Sequence, residues 1–300
     1  MPRFPHNLSP RLALTLAALL AAGCGSLIRE PPWVADLGYR GSEIEAIAVG
    51  RDDMPYVAVR INGNTARLLF DSGNTVGIVL HPRLAKRLGL RESGRWNARD
   101  AEGRPAGAFP SYTAREVHAL GRTWKDLTVY GGDTGRGPGS IGAEPLFAGA
   151  FTLDAPHRRL AVTSRALREA AIPADTLPLY RVPGLEGWPV TRVVIGGRSV
   201  LAQLDTGRSR TRISPALARA LAPANAEKAP GAMHREGSGR AIAELRLGSR
   251  TFSIANAEEA SFGEAHAELP GPIEIGLGCD VLGRLVVTVD YRRGMLLVHH

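Results

Sequence analysis

One acid-bearing turn occurs twice in this 300-residue chain, as Leu68-Leu69-Phe70-Asp71-Ser72-Gly73 and as Leu201-Ala202-Gln203-Leu204-Asp205-Thr206-Gly207. In each copy a mostly apolar stretch ends in Asp, then a small hydroxyl residue, then Gly. A hairpin signal precedes each: Ile61-Asn62-Gly63 before the first and Ile195-Gly196-Gly197 before the second. The two aspartates lie 134 residues apart, and Ile61/Ile195 and Gly63/Gly197 keep that spacing. An Asp at equal depth in two similar halves places two carboxylates near a pseudo-two-fold axis.

The repeat continues past the acid turn. Glu102-Gly103 and Glu236-Gly237 keep the 134-residue spacing and read as hairpin tips. Leu120-Gly121 matches Leu247-Gly248, and each precedes a β-rich stretch, Trp124 to Val129 and Thr251 to Ile254. Ile141-Gly142-Ala143-Glu144-Pro145-Leu146 then matches Leu277-Gly278-Cys279-Asp280-Val281-Leu282. Phe151-Thr152-Leu153-Asp154 matches Val287-Thr288-Val289-Asp290, and Leu160-Ala161-Val162 matches Leu296-Leu297-Val298. Matched stations in one order imply a single supersecondary unit used twice.

With these motifs the chain resembles the retropepsin/pepsin-like aspartic peptidases, in the bacterial single-chain form with two retropepsin-like lobes. The resemblance spans roughly Ser42 to His300 and rests on the two Asp-Ser/Thr-Gly turns and on Ser140-Ile141-Gly142 and Gly276-Leu277-Gly278. It implies an all-β fold of two pseudo-symmetric lobes around a central cleft, with each apolar-apolar-Gly segment passing beneath an acid turn. It also implies that Ser72 and Thr206 hydrogen-bond across the axis, while Gly73 and Gly207 let backbone amides approach the carboxylates. Glu102, Gly103, Glu236 and Gly237 become flap candidates. A third Asp-Thr-Gly, Asp133-Thr134-Gly135, sits between Gly131-Gly132 and Arg136-Gly137-Pro138-Gly139 and has no counterpart 134 residues later. That composition reads as a surface loop, not as an acid turn.

Two carboxylates in contact cannot both ionise, so such a pair shares one proton and can both activate a water and polarise a carbonyl. Asp71 and Asp205 are the candidates for that dyad, as the centre of an aspartic endopeptidase acting on a peptide or protein substrate without a cofactor. One chain supplies both acids, so a monomer suffices. Two departures from the family pattern stand beside the acids: Asn74 follows Gly73 and Arg208 follows Gly207, where a small residue is usual. A guanidinium near the dyad favours the charged carboxylates, unless Arg208 points outward. The alternative is a catalytically inactive protein of the same fold that binds peptides or envelope polymers.

The N-terminus bears on location. Arg3 and Arg11 precede an apolar run of 11 residues, Leu12 to Ala22, too short for a membrane span. Leu20-Ala21-Ala22-Gly23-Cys24 resembles a bacterial lipobox, which implies a signal peptide over 1–23 and lipidation of Cys24. The alternative is an ordinary secretory signal cut at small residues, with Cys24 incidental. Lipidation implies attachment to the bacterial envelope through the Cys24 lipid. Because Gly25 supplies no Asp retention signal, the expected place is the periplasmic side of the outer membrane. Cys279, in an apolar segment, reads as a buried core residue.

Formal net charge is +8, and about +6 without residues 1–23. The basic side chains are scattered, which with export argues against a nucleic-acid partner. The eight histidines are dispersed and form no metal-ligand spacing. The expected organisation is a tether over 24–43, a first lobe over 44–165, a linker over 166–188 and a second lobe over 189–300. Helices are expected at Pro82 to Leu88, Pro215 to Leu221 and Ala166 to Ala171, and a strand at Val76 to Leu80.

Overall fold

In the computed structural model the described residues are 30–50, 53–99, 105–132, 137–171, 173–182, 185, 187–221, 240–262 and 268–300. Among them strands predominate, and no helix is long and apolar enough to cross a membrane. The chain enters through a short helix, α1 (Pro32–Leu37). Pro32 occupies its first turn, where the missing amide hydrogen would have no intrahelical partner. Gly38 closes it in a left-handed conformation, donating its amide to the Val34 carbonyl.

The first half follows as β1 (Ile44–Ala46), β2 (Ala48–Val49), β3 (Pro55–Ile61), β4 (Asn64–Phe70), β5 (Ile78–Leu80), α2 (Pro82–Arg87), β6 (Glu92–Arg99), β7 (Pro105–Ala119), β8 (Arg122–Gly131), β9 (Gly139–Ile141), α3 (Glu144–Phe147), β10 (Ala150–Asp154) and β11 (Arg159–Thr163). Val57, Val59 and Ile61 are fully buried in β3 while Ala58 and Arg60 face solvent, which is the alternation expected of a half-buried strand. Asn62 and Gly63 both have positive φ and turn β3 into β4. β4 runs parallel to β9, β9 antiparallel to β5, β5 parallel to β8 and β8 antiparallel to β7. β7 then pairs back onto β3, and β6 extends from β7 as a hairpin.

The second half repeats the circuit with β12 (Ala174–Pro178), β13 (Val190–Ile195), β14 (Arg198–Leu204), β15 (Arg212–Ile213), α4 (Pro215–Ala220), β16 (Arg240–Leu247), β17 (Arg250–Glu259), β18 (Ile273–Leu277), α5 (Cys279–Leu282), β19 (Val286–Asp290) and β20 (Met295–His299). Its closed barrel runs β13-β14-β18-β15-β17-β16, strand for strand the order β3-β4-β9-β5-β8-β7 of the first half. One matched station moves. The turn after β16 falls at Gly248-Ser249, between paired Leu247 and Arg250, one residue beyond the match with Leu120-Gly121. Farther from the turn the β16–β17 pair also carries register irregularities, between Arg240 and Leu245.

A third sheet joins the halves in the order β1-β11-β10-β19-β20-β12. Its centre pairs Thr152 with Thr288, whose hydroxyl oxygens stand 2.7 Å apart on the pseudo-two-fold axis. Phe70 and Phe151 meet edge to face at 5.2 Å, tying this sheet to the strand that leads into the first acid.

Three expectations need correction. The described part of the segment read as a tether, from residue 30 on, is docked: Trp33, Val34 and Leu37 of α1 are buried, and Trp33 Nε1 donates to Asp154 Oδ2 at 2.8 Å. Within the linker, Ala166 to Ala171 is not a helix. Its backbone bonds to the docked N-terminal segment instead, Arg168 N to the Leu37 carbonyl and Ala171 N to the Asp36 carboxylate. The linker also contributes β12, which pairs with β20. The strand expected from Val76 begins at Ile78, because residues 74–77 complete the acid loop through Asn74.

Candidate active site

Each acid sits where a barrel strand ends and its chain turns under a neighbouring segment. Asp71 follows β4 and its amide donates to the Ile141 carbonyl at 3.0 Å; Asp205 follows β14 and its amide donates to the Leu277 carbonyl at 2.9 Å. The supporting segments then cross beneath. Gly142 N donates to the Gly77 carbonyl and Cys279 N to the Arg208 carbonyl. The glycines in these crossings are required by contact. A Cβ on Gly142 would overlap the Asn74 carbonyl oxygen, and one on Gly278 would overlap the Arg210 carbonyl group.

The two turns are locked together. Ser72 N donates to Thr206 Oγ1 at 2.9 Å, and Thr206 N donates to Ser72 Oγ at 3.1 Å. Ser72 Oγ in turn donates to the Leu204 carbonyl and Thr206 Oγ1 to the Phe70 carbonyl, at 2.8 and 2.7 Å. Both hydroxyls are thus used as donor and acceptor, so the buried network is satisfied. Gly73 N holds Asp71 Oδ1 at 2.9 Å and Gly207 N holds Asp205 Oδ1 at 3.0 Å.

This frame brings the two carboxylates toward one point beside the acid turns. The point where Gly73 would carry a Cβ lies 3.1 Å from Asp205 Oδ1 and 3.2 Å from Asp71 Oδ1. The corresponding point on Gly207 lies 2.5 Å from the Asp71 carboxyl carbon. Burial, with the Asp205 charge second, pushes the Asp71 carboxyl up from 3.8 to about 7. Such a pair carries a single shared proton near neutrality.

Charge around the pair is uneven. The Arg208 side chain turns toward the acids, with Nε 3.7 Å from Asp205 Oδ2 and about a third of its surface open. Arg212, at the start of β15, is buried and places Nη2 3.3 Å from the same oxygen. Among the described residues neither has a charged counterpart beside Asp71. Asn74, which stands where Arg208 does in the repeat, instead donates to the Gly77 carbonyl and to Ser140 Oγ.

Two residues of this site had no signal in the repeat. Trp188 Nε1 donates to the Gly73 carbonyl at 2.9 Å, so the linker props the first acid turn. Arg212 lies five residues past Gly207, and only the pairing of β15 with β18 brings it back to the acid. Cys279 is buried beneath the second turn, with Sγ 3.5 Å from the Thr206 carbonyl oxygen, and burial pushes its thiol pKa far up. Of the other expected positions, Cys24, the tips Glu102-Gly103 and Glu236-Gly237, and the Asp133-Thr134-Gly135 loop lie outside the described residues.

Two acids brought together from two like barrels, with crossing segments beneath and a shared sheet behind, define one architecture. The fold is that of the pepsin-like aspartic peptidases. Residues 57–144, from β3 into α3, match the family model described as Aspartyl protease. The structure is similar to the crystal structure of the aspartic proteinase from Irpex lacteus, with a TM-score of 0.53 and 13% sequence identity over 85% of this chain and 97% of that one. No curated protein matches the chain significantly. At this identity the structural likeness speaks for the pepsin-like fold alone, and the chain resembles the retropepsin/pepsin-like peptidases on both its motif pattern and its architecture.

Proposed function

We propose that the chain is an aspartic endopeptidase whose single centre is formed by Asp71 and Asp205. The observation that carries this reading is the convergence of the two acids: an oxygen of each carboxylate lies within 3.2 Å of the point of the missing Gly73 Cβ, and each carboxylate is held by the amide two residues on. In the proposed reaction the ionised carboxylate takes a proton from a water, whose oxygen attacks the scissile carbonyl carbon. The protonated carboxyl donates toward the carbonyl oxygen. As the tetrahedral intermediate collapses and the C–N bond breaks, the carboxyl that took the water's proton gives it to the amine nitrogen, and a hydroxyl of the intermediate returns its proton to the other carboxylate. Both protons that move are passed through the two carboxyls and the pair ends as it began, so the reaction asks nothing of a cofactor.

A second reading is kept by one observation, the two guanidinium groups on Asp205. Paired that closely, Asp205 would bind a ligand without activating water, and the chain would be an envelope protein that captures extended peptides or envelope polymers. The deciding experiment uses the chain from Gly25 onward with an unfolded protein substrate between about pH 4 and 7, with and without a transition-state inhibitor of aspartic peptidases. Inhibitable cleavage, lost in Asp71→Asn and in Asp205→Asn while both remain folded, supports the peptidase. Absence of cleavage by the wild type at every pH, together with retained peptide binding, supports capture.

For location we propose envelope attachment through lipid on Cys24, which rests on the lipobox-like Leu20 to Cys24 segment. Membrane fractionation that is lost in Cys24→Ala supports it. Unchanged processing and labelling of that variant overturns it.

A further inference from the structure

Resting on the peptidase reading, we infer that Arg212 is a positioning residue that holds Asp205 ionised and so leaves the shared proton on Asp71. Asp205 is then the member that takes the proton from water, and Asp71 the member that donates toward the substrate carbonyl.

The asymmetry is built into the sheets. Arg212 pairs with Gly276 across β15 and β18, whereas the equivalent pair in the first half is Val79 with Ser140, across β5 and β9. Val79 carries no charge. Opposite Arg212 the residue is glycine, and the point of its missing Cβ is 3.6 Å from both Nε and Nη2 of the guanidinium. Where the first half has Ser140 accepting from Asn74, the second leaves that volume to the guanidinium. Phe262 packs at the same place, with a ring carbon 3.1 Å from the point of the missing Gly276 Cβ and its ring centroid 5.4 Å from the Arg212 guanidinium carbon. The cation is therefore seated against a ring and a bare backbone, with Nη2 3.3 Å from Asp205 Oδ2. A buried guanidinium cannot release its proton, so its charge is permanent.

Every other charged or titratable group around the pair, among the described residues, leaves this polarity in place. Arg208 is nearest Asp205, at 3.7 Å, and more open; its charge also reaches Asp71, where it is outweighed by burial and by the Asp205 charge. Arg210 is paired with Glu258 at 3.8 Å. Asp280 is occupied by the amide and hydroxyl of Thr211, and Cys279, buried beneath the turn, stays a neutral thiol. Beneath Asp71, the crossing segment Gly139 to Ala143 contains no titratable residue, and Trp188 contributes a neutral donor. The buried guanidinium within hydrogen-bonding reach of the dyad thus falls on one acid, Asp205.

The test reads protonation directly and needs no turnover. The Asp carboxyl carbons of the chain from Gly25 onward are labelled with carbon-13, assigned through Asp71→Asn and Asp205→Asn, and titrated by NMR. The upper step is expected on Asp71 and the lower on Asp205. Arg212→Met should move the Asp205 step up by about 1–3 pH units, Arg212→Lys should return it most of the way, and Arg208→Gln should move it less. Thermal melts check that the fold is retained. If Arg212→Met does not fold, Arg212→Gln, which keeps a donor and loses the charge, reads the same change. An upper step on Asp205, or an Asp205 step unmoved in a folded Arg212→Met or Arg212→Gln chain, overturns the inference. Cleavage measured in parallel separates the two claims: a chain with its upper step on Asp71 that yet cuts nothing refutes the peptidase reading and leaves the proton assignment standing.

Discussion

Ser72 and Thr206 are bonded to each other twice, each backbone amide donating to the other's hydroxyl, although 134 residues separate them. Each hydroxyl also donates to a carbonyl of the opposite half. Ser72→Ala therefore strands the Thr206 amide, and Thr206→Val strands that of Ser72. A buried donor left without a partner costs about 1–3 kcal/mol, so each variant should lose that much in chemical denaturation. Because the bonds form one closed ring, the double variant should lose less than the sum of the singles. Additive losses would mean that the two halves of the ring act independently.

The two glycines of the acid turns are unequal, and substitution should show it. A Cβ at Gly73 would meet carboxylate oxygens at 3.1–3.2 Å, which a small movement accommodates. At Gly207 it would meet the Asp71 carboxyl carbon and both oxygens at 2.5–2.7 Å, and Asp71 is pinned by Gly73 N. Gly207→Ala should thus abolish cleavage of an unfolded protein substrate, whereas Gly73→Ala should retain a measurable fraction. Equal losses would argue against the close abutment of Asp71 on the second turn.

What could be read in the sequence was whatever the repeat wrote twice. Asn62-Gly63 and Gly196-Gly197 carry their turn chemistry in the residues themselves, and both turns have positive φ at both positions. Gly142 and Gly278 are similarly legible, since no other residue fits where one backbone crosses another. Arg212 has no such signature. Its match, Val79, emerges only from the strand register, and an arginine at the head of a two-residue strand looks like any surface base. Pro31-Pro32 misled in the opposite direction. Prolines that break a helix interior also start one, and the burial of Trp33 decides which meaning applies.

That docking of α1 has a measurable consequence. Trp33 is buried, donates to the fully buried Asp154 and meets the Tyr39 ring edge to face at 5.7 Å. Trp33→Ala should cost about 3–5 kcal/mol, a core-sized loss in a segment that a free tether would let vary without effect. A chain beginning at Ile44 should be destabilised in the same way, while one beginning at Gly25 should not. Urea midpoints of the three chains at one pH decide between docking and tethering.

Stability should also report the state of Asp71. Burial, then the Asp205 charge, raises its carboxyl from 3.8 to about 7 in the folded chain. Between those values the folded protein keeps a proton that the unfolded chain has released. The contribution of this group to stability is therefore greatest at the acid end of that window and is lost as pH rises toward 7. At about 1.4 kcal/mol per pH unit the width of the window sets an upper bound on the order of 4 kcal/mol, reduced because Asp71 retains some exposure to the cleft. Groups such as Glu43, whose carboxyl is lowered by Arg165 and other donors despite partial burial, act with the opposite sign. The informative quantity is therefore the difference between the wild type and Asp71→Asn. Asn cannot ionise, so the variant's stability relative to the wild type should rise steadily from about pH 4 to about pH 7 and level off above, read as urea midpoints. In the same window the cleavage rate should fall as pH passes about 7, where the second proton leaves the pair. A pH-independent difference between the two chains would show that Asp71 ionises alike folded and unfolded, and the shared proton would then have no home in this site.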